Sequence, residues 1–90
     1  MKDAIFLKKL DRLIQDCKEW DLISQRFDDI VNMYLTLTGA DRMIMAEEFE
    51  VPGATVSRWA SGLAIPLMGM QRSVVRYIEN KCIEIKKSIE

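Results

Sequence analysis

Asp41 to Pro66, DRMIMAEEFEVPGATVSRWASGLAIP, is the stretch whose reading decides the fold. Counted from Ala46, Val51 follows five residues on, Val56 ten on and Trp59 thirteen on, with Glu47, Glu48, Thr55, Ser57 and Arg58 between them. Two short helices about a tight turn explain that spacing. A small side chain sits where the helices cross, and apolar side chains fill the crossing from the turn and from the second helix. Ala46, Val51, Val56 and Trp59 suit those inner places, which leaves Thr55, Ser57, Arg58 and Ser61 facing outward. The first helix is expected from about Asp41 to Phe49, with Met43 or Met45, Ala46 and Phe49 inward. Pro52 and Gly53 mark the start of the second helix, Thr55 to Ser61 continue it, and Gly62 ends it.

Upstream, residues 3 to 19 predict an amphipathic helix: Phe6, Leu10, Leu13 and Cys17 recur at spacings of four, three and four, widened by Leu7 and Ile14. Lys8, Lys9, Asp11, Arg12, Asp16 and Lys18 take its other side, and Asp3 is a candidate N-cap. Trp20-Asp21 is expected to break it, with Asp21 capping a second helix over 22 to 37. That helix carries Ile23, Phe27, Ile30, Tyr34 and Leu37, flanked by Val31 and by Met33 or Leu35, and Gly39 suits a left-handed end. Downstream, Leu63 to Pro66 connects to a last helix from Leu67 or Met68 to about Ile89, with Val75, Ile78, Cys82, Ile85 and Ile89 in its stripe. The expectation is an all-α chain of five helices in one domain.

The central stretch resembles the helix–turn–helix of the phage lambda repressor and Cro superfamily, of the xenobiotic-response-element type. AEEFEV, TVSRW, then Ser61-Gly62 and Pro66 carry the resemblance, which covers roughly residues 22 to 80. Helix 3–19 and the tail 81–90 lie outside that core. Two positions depart from the pattern: Glu50 stands where the turn usually has glycine, and Pro52 where a serine usually caps the second helix. A non-glycine residue at positive φ is uncommon, so the turn is expected either to be slightly strained at Glu50 or to avoid positive φ altogether. The resemblance implies a second helix in the major groove, with Gly53, Ala54, Thr55, Ser57, Arg58 and Ser61 facing bases and Arg42 gripping the backbone. Arg58 is the side chain able to bond a guanine bidentately, and Ala54 suits a thymine methyl. Gln71, Arg72 and Arg76, at the start of the last helix, are further candidates for phosphate contacts.

Charge limits the reading. The net charge is −1, which argues against indiscriminate coating of nucleic acid. Residues 38 to 66 carry a net −2, with Arg42 and Arg58 their only cations, whereas residues 67 to 90 carry +2. A single copy should therefore bind DNA weakly, because phosphate neutralisation supplies most non-specific affinity. A homodimer is expected, its seam built from Phe6, Leu10, Leu13 and Cys17 or from Cys82, Ile85 and Ile89, unless those helices pack on each other in one chain. The rival expectation is a protein–protein interaction module, an adaptor or anti-repressor, on the same fold; its cations would be scattered around an exposed apolar patch.

Catalysis has little to stand on. There is no histidine, no carboxylate pair in a recognisable arrangement and no glycine-rich phosphate loop. Cys17 and Cys82 have no metal-ligand spacing and read as buried reduced thiols. No cofactor, metal or small-molecule substrate is expected. The longest uncharged run, Trp59 to Gln71, is 13 residues and contains Pro66, too short and broken for a membrane span. The sequence reads as a cytoplasmic transcriptional regulator of bacterial or phage type.

Overall fold

The structure is a computed structural model and describes residues 2–20 and 26–89. It is all-helical: α1 (Lys2–Lys18), α2 (Phe27–Thr38), α3 (Arg42–Glu48), α4 (Gly53–Ser61) and α5 (Met68–Ile89), with no strand among the described residues. α2 is the hub. It packs against α1 and α5 on one side and α4 on the other, while α3 packs on α4 and α1 on α5.

α1 begins at Lys2, so Asp3 lies within its first turn rather than ahead of it as an N-cap. Leu10, Leu13, Ile14 and Cys17 are buried, and Phe6 packs against their edge. Asp16, assigned by periodicity to the outer side, is buried as well, because its carboxylate accepts from Arg12 Nε one turn back at 3.1 Å. α2 does not start at 22. Arg26 is extended (φ −70°, ψ 132°), so the helix begins at Phe27, where Asp28 and Asp29 in the first turn suit the positive end of the helix dipole. The expected Asp21 cap and Ile23 lie outside the described residues. Arg26 also donates to the buried Asp28 at 2.9 Å. Met33 is exposed, whereas Val31 is fully buried.

The α3–α4 pair is held by a tight turn. Asp41 Oδ1 caps α3 by accepting from the Met43 N–H at 2.8 Å. Of the two methionine choices Met45 is the inward one, and Met43 is exposed. Glu50 takes the left-handed conformation at φ 55°, and the Val51 N–H then closes the turn on the Ala46 carbonyl at 2.9 Å. Gly62 ends α4 at φ 80°. A Cβ there would also stand 2.8 Å from Asp28 Oδ2, so the start of α2 packs directly on the end of α4.

An aromatic circuit ties the short pair to the long helices. Phe27 of α2 meets Trp59 edge-on at 6.0 Å, Trp59 meets Phe49 at 6.3 Å, Phe49 meets Tyr77 of α5 at 5.3 Å, and Tyr77 returns to Tyr34 of α2 at 6.4 Å. Edge-to-face pairs of this kind contribute about 0.5–1.5 kcal/mol each beyond area burial. Ala46, Val56 and Trp59 are buried and Val51 is half-buried.

Four of the seam residues offered for a dimer are already used within the chain. Leu10, Leu13 and Cys17 of α1 and Cys82 of α5 are buried within the chain, and Asp11 meets Lys86 across that junction at 2.7 Å. Ile85 is half-buried, and Ile89, placed by periodicity in the stripe, is exposed because the apolar cover ends before the last turn. Val74, outside the expected stripe, is fully buried.

Candidate functional site

The two short helices start differently. α3 has its Asp41 side-chain cap, but α4 starts behind Pro52, which has no side chain able to accept, and no side-chain bond caps it. Pro52 contributes only its carbonyl, which accepts from the Thr55 N–H at 2.9 Å. The N–H groups of Gly53 and Ala54 have no acceptor among the described residues. An uncapped first turn concentrates the positive end of the helix dipole in bare N–H donors.

Arg42 lies over that end. Its Nε is 3.9 Å from where a Gly53 Cβ would stand, and a methyl at Gly53 would collide with Met43 Sδ. The first turn of α3 therefore lies against the first turn of α4, with the flexible Met43 side chain over Gly53. Arg42 has no ion-pair partner among the described residues. A cation thus stands beside a positive helix end.

Along α4, Ala54, Arg58 and Ser61 are exposed, and Thr55 and Ser57 are half-buried. Arg58 has no ion pair among the described residues, so its guanidinium fork is available. Ser61 is less so, because its hydroxyl donates back to the Arg58 carbonyl at 3.2 Å. Arg72 and Arg76 are exposed one turn apart on α5, which meets the motif through Tyr77 and Phe49. Gln71 is partly committed, its Nε2 donating to the Pro66 carbonyl at 2.8 Å. Arg42 and Gly53 are brought together; Gln71, Arg72 and Arg76 stand on a separate helix.

The segment between α4 and α5 shows what the sequence reading missed. Leu63 is 81% exposed, Ile65 61%, Leu67 87% and Met68 52%. The available signal was the uncharged run Trp59 to Gln71, weighed only as a membrane span. Large apolar side chains exposed in succession mark a contact surface more often than plain solvent boundary.

The thiols offer no nucleophile. Burial pushes Cys82 up to about 12 and Cys17 further, with Cys82 adding to the rise at Cys17, so both stay protonated at neutral pH. Among the described residues no cluster of three or more acidic, cysteine or histidine side chains could hold a metal, and no helix is long and apolar enough to cross a membrane. The sequence matches no protein-family model, no curated protein and no solved structure.

Proposed function

We propose that the chain is a sequence-specific duplex-DNA-binding transcriptional regulator of bacterial or phage type, akin to the lambda repressor and Cro superfamily, with α4 as its reading helix. The observation that carries this reading is Arg42 poised over the uncapped start of α4. A cation and a helix N-terminus repel each other, and an anion seated between them is attracted to both and outweighs that repulsion. A DNA phosphate supplies that charge and would seat α4 at the groove edge. From there Arg58 reaches a guanine edge, Thr55 and Ser57 reach bases or phosphates, and Ala54 meets a thymine methyl. Arg72, Arg76 and the remaining N–H of Gln71 serve the backbone. Nothing in this reading requires catalysis.

A motif with two cations gives little affinity per half-site, so two copies act together. The surface we assign to the second copy is the exposed connector of Leu63, Ile65, Leu67 and Met68, beside the end of α4. A twofold there would have to place the two α4 helices about 34 Å apart, one DNA turn. Binding selection from random duplexes at two salt concentrations tests the function. Enrichment of a roughly palindromic site with salt-dependent affinity is expected, and a pool left without enrichment would sink the reading. Sedimentation tests the assembly: a species of 10.4 kDa at tens of micromolar, unchanged on dilution, removes the dimer.

The same connector favours a second reading, an interaction module whose exposed apolar segment takes another protein. DNA affinity that ignores both Arg42→Ala and Arg58→Ala would select it.

A further inference from the structure

A groove of about 770 Å³ lies away from α4, between α1 and α2. Lys8, Lys9 and Arg12 of α1 line it together with Asn32, Met33, Thr36 and Leu37 of α2. Lys8 and Lys9 are exposed and have no ion pair among the described residues, while Arg12 leans on Asp16. One carboxylate, Asp29, joins the lining, and Arg26 stands 4.0 Å from it. With Arg12 paired to Asp16, Lys8 and Lys9 against Asp29 leave this groove locally basic in a chain of net charge −1.

We infer that this groove docks an acidic amphipathic helix of a partner protein. The cations of the lining all come from α1, and its large apolar side chains, Met33 and Leu37, stand one turn apart on α2. A helix laid along α1 and α2 would set apolar side chains on Met33 and Leu37 and carboxylates against Lys8, Lys9 and Arg12. A phosphate backbone would match the cations but leave Met33 and Leu37 uncovered and meet Asp29. Asn32 and Thr36 point away from the side of α2 where Phe27 meets Trp59, so the partner and the face of α4 do not compete. The inference therefore stands independently of DNA binding.

The probe is a designed helical peptide of about 15 residues, near the length at which isolated helices become viable, with a leucine stripe flanked by glutamates. Its controls are a twin with lysine for glutamate and one with serine for leucine. Titrated into the full chain, the acidic peptide should shift the amide resonances of Lys8, Lys9, Met33 and Thr36, and neither twin should. Lys8→Glu with Lys9→Glu, both exposed and compatible with the fold, should weaken the acidic peptide at least about tenfold and favour the lysine twin. Met33→Ser should weaken it without reversing the charge preference. No shift with the acidic peptide, or equal binding to the charge-reversed variant, overturns the inference. Shifts of the same amides by a short duplex would give the groove to phosphate instead. Self-association abolished by Lys8→Glu with Lys9→Glu would give it to a second copy.

Discussion

The two helix pairs around α2 follow opposite plans. α1 and α5, of 17 and 22 residues, turn their apolar stripes toward each other and toward α2, and Asp11 and Lys86 bridge the junction. α3 and α4, of 7 and 9 residues, are too short to be stable as isolated helices. They persist because Val56 and Trp59 are buried and because Phe49 and Trp59 join the aromatic circuit. Their outer surface keeps cations without partners and a helix start without a cap. A pair that satisfies itself serves as scaffold, and a pair left unsatisfied on one side is where a ligand has something to gain.

The largest effect should come from cutting the link between the pairs. Trp59→Ala removes two edge-to-face contacts and a buried indole, and should cost about 3–5 kcal/mol in urea unfolding, against little for Ser61→Ala. Equal melts for wild type and the Trp59 variant would mean the short pair does not depend on the circuit. Next, Arg58→Ala should weaken the preferred DNA site by about 1–3 kcal/mol and relax choice at one position, measured across a panel of site variants. Arg42→Ala should instead weaken all sequences alike and reduce the salt slope by about one, which would separate reading from gripping within the same pair.

The long pair is tested by alkali. Its thiols ordinarily ionise near 9.0, but burial lifts Cys82 to about 12 and Cys17 beyond it. Above about pH 9 the unfolded chain releases protons that the folded chain retains. Stability is therefore complete below that pH and falls as pH rises toward 12, by about 1.4 kcal/mol per unit for each thiol. Tyr34, raised to about 12 by burial and by Tyr77, adds to the fall. Urea midpoints across this range should drop less steeply for Cys17→Ala with Cys82→Ala, and an unchanged slope would remove the buried thiols as its cause. The smallest effect belongs to the turn. Glu50→Gly relieves a left-handed non-glycine residue, partly offset by the freedom glycine adds to the unfolded chain, and should raise stability by about 1 kcal/mol or less. A loss on thermal melting would show that Glu50 makes a contact worth more than its strain.

Five helices in one all-α chain were legible from periodicity, because a helix that buries one side repeats its apolar residues near every 3.6 positions. Gly39 and Gly62 were legible as helix ends, because the left-handed conformation is a local property of the backbone, whereas at Glu50 the sequence left a strained turn and one without positive φ both open. The inner residues Ala46, Val56 and Trp59 and the outer Arg58 could be sorted by spacing alone. Misreadings arose where a side chain's fate depends on a residue elsewhere. Asp16 is polar yet buried because Arg12 bonds it, and Ile89 is apolar yet exposed because no neighbour covers the last turn.

The sequence by itself determined that there are five helices, where most of them end and the main apolar side of each, since these follow from local sterics and from a side chain's preference for water. Only the tertiary structure decided what each apolar side meets. It closed α1 on α5 within one chain, rested Arg42 on the start of α4, and left Leu63 to Met68 without cover. Those outcomes depend on how the helices cross. Apolar attraction has no direction, so the same stripe can face its own chain or another until packing fixes the choice.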